Sequence, residues 1–233
     1  MVQEQDVMVE NTWYRVVISD EAETLLAAKA AGRVIVACLR KDGTEDLSIA
    51  RYGVEDVELA DKRYLERVIR REKNLPWIIW ETKELLLREF TKEDSIYVLP
   101  EPEDKGPDQI FYDSEKLSAY IRSQYGFFEY GLWAVVRKED GRLLGKAGLT
   151  DCSQEGHMEL AYHIFAPYRR RGYGEKACRM VLSYVKQEYD CPLYALIEAG
   201  NKISAGLLRK LGFHFMGQEC NGSRHRYCLF APY

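Results

Sequence analysis

Two rhythms of apolar residues alternate along this chain. Residues 13–20, WYRVVISD, predict a strand, and 33–40, RVIVACLR, a buried one, because both are short and rich in β-branched residues. Between them, 21–31, EAETLLAAKAA, is dense in helix formers, with Gly32 as its stop. Residues 49–57 give a weaker strand. Then 61–73, DKRYLERVIRREK, set Tyr64, Leu65, Val68 and Ile69 at helical spacing. This alternation predicts a small open α/β layer. The acidic start, MVQEQDVMVENTW, has no apolar run and predicts neither an element nor a secretory signal.

NLPW at 74–77 breaks the pattern, since the residue before proline leaves helical space. The expected division is therefore a small α/β domain over 1–77 and a second domain over 78–233. In the second, ELLLREF (84–90) predicts a strand, and the stretch from Thr91 a helix with Thr91 as N-cap and Asp94 at its third position. Residues 100–109, PEPEDKGPDQ, predict an acidic loop or lid. A helix capped by Ser114 covers 114–124, and 131–150 fold as a hairpin around Glu139-Asp140-Gly141. HMELAYHIFA (157–166) is a strand. Ala177, Met180, Val181, Tyr184 and Val185 then mark an amphipathic helix. LYALIEA (193–199) is a strand, 202–211 a helix with Arg209 and Lys210 in its last turn and Gly212 beyond it, and SRHRYCLFA a closing strand.

Composition narrows the function classes. The chain has 233 residues, 46% hydrophobic and 30% charged, with a net charge of −4. No global basic excess predicts a nucleic-acid partner, and no window is long enough to predict a membrane span. A cytoplasmic protein is expected. Cys38, Cys152, Cys178, Cys191, Cys220 and Cys228 are scattered without C-x-x-C spacing and read as reduced thiols, with no metal expected. The first layer has neither a D-x-D pair nor a glycine-rich phosphate loop nor G-x-G-x-x-G. It reads as structural or protein-binding.

Local chemistry concentrates in FAPYRRRGYGEKACRMV, 165–181. A strand, a tight basic turn and a helix start present backbone N–H groups and a positive helix end to an anion. Gly172 and Gly174 let the backbone approach a ligand, and Arg169, Arg170 and Arg171 add donors suited to phosphate. The turn thus reads as a pyrophosphate cradle.

This loop, the preceding strand ELAYHIF, the helix EKACRMVLSYV, the strand LYALIEA and NKISAGLLRKLGF (201–213) occur in the order and spacing of the GNAT superfamily of acetyl-CoA-dependent N-acyltransferases. The chain resembles that family from about residue 82 to its C-terminus. TKELLLREFTKEDS resembles the family's opening strand and helix. The start of the first layer resembles part of a phosphatase-type doubly wound domain. The resemblance implies a mixed twisted sheet flanked by helices, with acetyl-CoA as cofactor. It implies that backbone amides of Arg170, Arg171, Gly172, Tyr173, Gly174 and Glu175 bind the pyrophosphate. His163 and Ile164 would hydrogen-bond the pantetheine arm as an added strand, and Asn201 would contact it, with Ser204 one turn later on the same side. Leu208 stands where many relatives carry the tyrosine that protonates the departing thiolate, which leaves that role unassigned.

The expected reaction moves an acetyl group to a primary amine, of a small molecule or a peptide N-terminus, in a ternary complex. An amine attacking a thioester must arrive neutral, so a general base is needed. Glu159 is the candidate, because it lies on the strand beside the cofactor; Ser204, Tyr162 and Tyr168 are hydroxyls near enough to act as acids. Glu101, Glu103, Asp104, Asp108 and Glu129 would steer a cationic acceptor. The alternative is a catalytically silent coenzyme A-binding or protein-interaction module. A homodimer is compatible with either.

Overall fold

The computed structural model describes residues 1–101, 106–151, 157–189, 191–218 and 223–229. It divides into two compact units, Met1–Trp77 and Ile78–Tyr233.

The first unit opens on a hairpin. Strand β1 (Val2–Val9) pairs antiparallel with β2 (Thr12–Ser19). The two turn residues, Glu10 and Asn11, both have positive φ, 48° and 63°, the backbone of a tight hairpin that follows strand twist. Helix α1 (Ala22–Ala30) crosses to β3 (Val34–Cys38), parallel to β2, and β4 (Gly53–Val54) adds in parallel beyond it. The order β1-β2-β3-β4 follows the chain and has no reversal of the kind that makes a sheet doubly wound. Strand alternation divides the core. Val16, Ile18, Val34 and Val36 face Leu65, Val68 and Ile69 of α2 (Lys62–Glu72), while Val17, Ile35 and Ala37 face Leu25 and Ala28 of α1. The expected small open α/β layer is what forms, with β1 added where no element was expected.

The second unit is built on an eight-stranded sheet in the order β11-β12-β10-β9-β8-β7-β6-β5. Its strands are β5 (Ile78–Glu81), β6 (Leu85–Arg88), β7 (Leu132–Arg137), β8 (Leu143–Asp151), β9 (Met158–Ile164), β10 (Leu193–Glu198), β11 (His214–Gln218) and β12 (Arg224–Leu229). Residues 92–97, expected to be α-helical, form a 3-10 helix behind a Thr91–Asp94 capping box. Asp94 also takes two bonds from Arg88, at 2.7 and 2.8 Å, which fixes this turn to the end of β6. A second 3-10 stretch, Gly106–Tyr112, leads to α3 (Ser114–Tyr120). Its cap is Asp113, one residue before the expected Ser114, with Oδ1 accepting the amides of Glu115 and Lys116. The coil then widens to a π-helix over Ile121–Phe128. Helix α4 (Tyr173–Glu188) crosses between β9 and β10, and α5 (Lys202–Lys210) follows β10. This is the expected mixed sheet flanked by helices.

All neighbouring strands of this sheet run antiparallel except β9 and β10. That parallel pair is joined at only two positions, Met158–Leu193 and Glu159–Tyr194. Beyond them the strands part. On its other side β9 is held to β8 along its whole length, from Met158–Asp151 to Ile164–Gly145. Two glycines of β8 permit close approach there: a Cβ at Gly145 would be driven into the His163 carbonyl, and one at Gly148 into the Gly131 carbonyl.

Among the described residues no helix is long and apolar enough to cross a membrane. Cys38, Cys178, Cys191 and Cys228 are free thiols; Cys152 and Cys220 lie outside the described residues.

Candidate active site

The gap between β9 and β10 opens into two cavities that meet at Tyr162, His163, Asn201 and Ser204. One, of about 560 Å³, lies against the start of α4. The other, of about 400 Å³, reaches Asp108, Lys146, Glu159 and Glu198.

Backbone direction follows from the ladder. The Phe165 N–H donates to the Leu144 carbonyl at 3.0 Å, in register with the β8–β9 pairs. Antiparallel alternation then turns the amides of His163 and Ala161 toward β8, and those of Leu160, Tyr162 and Ile164 toward the gap. Of the two strand-end residues expected to meet a pantetheine arm, Ile164 offers its amide to the gap. His163 offers its side chain.

Of the three arginines expected to meet a phosphate, Arg169 and Arg170 line the larger cavity and Arg171 does not. Arg169 is already engaged there: Nε donates to the Ile164 carbonyl at 2.8 Å, and Nη2 to Glu101 and, at 3.3 Å, to the His163 ring. Glu101, only 7% exposed, also accepts the Ala166 amide at 2.7 Å. Burial would raise its carboxyl, but the Ala166 amide, His163 and Arg169 outweigh that and hold it below its ordinary value. Its charge is spent on this contact and not on steering. Arg170 has φ 60° and Gly172 φ 79°, and both line the larger cavity. A non-glycine residue in the left-handed region costs of order 1 kcal/mol. Arg171 is exposed and does not line the cavity.

Gly172 caps α4, and Tyr173, Gly174 and Glu175 form its first turn, where N–H groups have no partner within the helix. A Cβ at Gly174 would sit 3.5 Å from the Tyr162 ring, 3.7 Å from Ile164 and 3.8 Å from Leu207, inside the cavity. The glycine leaves that space to a ligand. Glu175 is held below its ordinary value by Lys210 and Arg179, at 2.6 and 3.1 Å, so its charge is compensated beside the helix start.

Asn201 begins α5, its Oδ1 accepting the Ser204 amide at 3.0 Å, which leaves its NH2 group as a donor. Tyr162 O–H donates to Ser204 Oγ, also at 3.0 Å. Burial raises the Tyr162 phenol above its ordinary value, although the Ser204 bond pulls the other way. Leu208 is fully buried and closes the second cavity.

That second cavity holds Glu159 on β9. Lys146, 5% exposed, carries its ammonium to Asp108 at 2.5 Å and 4.1 Å above the Phe111 ring. Lys146 went unnoticed in the sequence; its signal is a lone cation within the apolar run LLGKAGL. Asp108 thus reaches the site as an ion-pair member, while Glu103 and Asp104 lie outside the described residues. Glu129, in the left-handed region at φ 62°, does not line either cavity.

Residues 84–214 match the family model described as the Acetyltransferase (GNAT) domain. An uncharacterized protein, YkkB, of Bacillus subtilis (strain 168) is 32% identical over 87 residues, 36% of this chain and 51% of that protein. The chain therefore spans about half the length of this curated relative. Among solved structures, the acetyltransferase (GNAT family) of Bacillus anthracis superposes with a TM-score of 0.51 at 17% identity, over 64% of this chain and 96% of its own. The ribosomal-protein-S5-alanine acetyltransferase of Vibrio fischeri gives 0.52 at 15% identity, over 65% and 95%. These two likenesses establish the fold. With the family model covering more than half of its length, the chain belongs to the GNAT acetyltransferase family.

Proposed function

We propose that this protein is an N-acetyltransferase that moves an acetyl group from acetyl-CoA to a primary amine, of a small molecule or a peptide N-terminus, by direct attack in a ternary complex. The observation that carries the reading is the parted β9–β10 pair, with an anion-suited turn on one side and a carboxylate-bearing cavity on the other.

The residues fit the donor. The Arg170–Glu175 turn suits a pyrophosphate, Gly174 leaves room for it, and the gap-facing amides of Tyr162 and Ile164 suit an amide-bearing arm. When bound, acetyl-CoA supplies the acyl group as a thioester. Glu159 takes the ammonium proton of the acceptor so that the amine arrives neutral. Gap-facing amides of β9 donate to the carbonyl oxygen as charge develops there. Ser204, at the junction of the cavities, offers its hydroxyl to the departing sulfur. The second cavity carries carboxylates of Asp108, Glu159 and Glu198 against the single ammonium of Lys146, a balance that favours a cationic acceptor.

The test is acetyl-CoA turnover on a panel of small amines and peptides, wild type beside Glu159→Gln. Loss of the base is expected to lower kcat at neutral pH by about 100-fold, with KM for acetyl-CoA within about twofold. An unchanged kcat would remove Glu159 from the base role. A wild type that binds acetyl-CoA yet turns over no amine would overturn the transferase reading.

A further inference from the structure

Tyr162 and Ser204 come from different elements, β9 and α5, and their hydroxyls meet where the two cavities join. The bond between them has a polarity. A phenol is a far stronger acid than an aliphatic alcohol, and the aliphatic oxygen is the better acceptor, so the phenol donates. A serine hydroxyl has one hydrogen, and once its oxygen is engaged from the Tyr162 side that hydrogen must lie elsewhere. The serine backbone is also fixed, because its amide is bound by Asn201 Oδ1 at 3.0 Å. The Tyr162 ring lies beside Gly174 at the start of α4, 3.5 Å from where a Cβ would stand.

We infer that Tyr162 is a positioning residue that turns the Ser204 O–H hydrogen toward the junction of the cavities, where the sulfur of the acyl donor leaves. The inference rests on the acetyltransferase reading and adds a residue to it. As the C–N bond forms and the C–S bond breaks, the electron pair goes to sulfur; Glu159 has taken the first proton of the ammonium, and the second, shed by the nitrogen as the amide forms, passes through solvent to the thiolate. Ser204 gives sulfur a hydrogen bond and keeps its own proton; Tyr162, whose phenol pKa is raised above its ordinary value by burial, keeps its proton as well. The arrangement stabilises a thiolate without a strong acid beside it, at a site where residue 208 is a leucine.

The experiment reads the thiol of bound coenzyme A directly and needs no acceptor. Thiolate absorbance is followed against pH in the complex, referenced to the same protein with desulfo-coenzyme A. A hydrogen bond to the charged form lowers a pKa, so Ser204→Ala is expected to raise that of the bound thiol by about one unit and Tyr162→Phe by about half a unit. The double variant should match Ser204→Ala alone, because Tyr162 acts only through Ser204. Tyr162→Phe keeps the ring against α4, and thermal melting of each variant checks that the fold is retained. A thiol pKa unmoved by Tyr162→Phe, or a full Tyr162→Phe effect persisting in the Ser204→Ala background, would overturn the pairing and leave the transferase reading standing. Failure of wild type to bind coenzyme A would overturn both.

Discussion

Among the described residues two parallel strand–helix–strand crossovers occur, and one of them opens into the cavities described above. In β2-α1-β3 the ladder is joined at four successive pairs, Val16–Val34 to Ser19–Ala37. All five residues of β3 are buried. The start of α1 is acidic, with Asp20, Glu21 and Glu23, and its first amide, that of Ala22, is already bound by Glu45 at 3.2 Å. In β9-α4-β10 the ladder stops after two pairs, and the start of α4 carries Arg170 and two glycines facing a cavity. A helix N-terminus after a strand is thus not enough to hold an anion. The strands must part, the turn must leave its amides open, and no protein carboxylate may fill the place first.

Four substitutions probe that contrast. The largest effect is expected from Gly174→Trp, which fills the opening at α4. Acetyl-CoA binding should vanish in calorimetric titration while the melting temperature holds; retained affinity would place the cofactor elsewhere. Next is Leu25→Ala at the closed crossover, where a fully buried side chain joins α1 to β3. Denaturant unfolding should show a loss of about 2–5 kcal/mol; a loss below about 1 kcal/mol would mean that packing is not what keeps this crossover shut. The smallest is a pair within the basic turn. Arg170→Ala should weaken acetyl-CoA binding by about tenfold, with an affinity less sensitive to salt, and Arg171→Ala by no more than about twofold. Equal losses would show that lining the cavity is not what separates these arginines.

Most of this contrast was legible in the sequence on its catalytic side. The strand, basic turn and amphipathic helix around 165–181 are local patterns, and local patterns survive folding. What stayed hidden depended on partners distant in sequence. Strand β1 has only Val7 and Val9 buried, and its turn, Glu10-Asn11, lacks the glycine that usually announces a hairpin. The edge strands β5 and β11 are short and largely exposed, so alternation could not mark them. The anchoring of 92–97 to the end of β6 depends on Asp94 being held by Arg88, which lies on another element. Nothing in YRRRGYG shows that Arg169 would also pair with Glu101, 68 residues earlier. Lys146 and Tyr162 were invisible as a pair of cavity walls, because only the parting of β9 from β10 exposes them to the same space.

The two glycines of β8 give this site a cost that ligand contact does not reveal. Gly145 and Gly148 line neither of the two site cavities, yet without side chains they let β7, β8 and β9 lie close enough for the reactive edge of β9 to keep its place. Any side chain there would push against a neighbouring carbonyl and shift the whole edge, Glu159 and Tyr162 with it. In sequence drift these positions should be as intolerant as a catalytic carboxylate, for a reason that is wholly mechanical. A catalogue of variants without activity would therefore place them in the active site, although no substrate ever meets them.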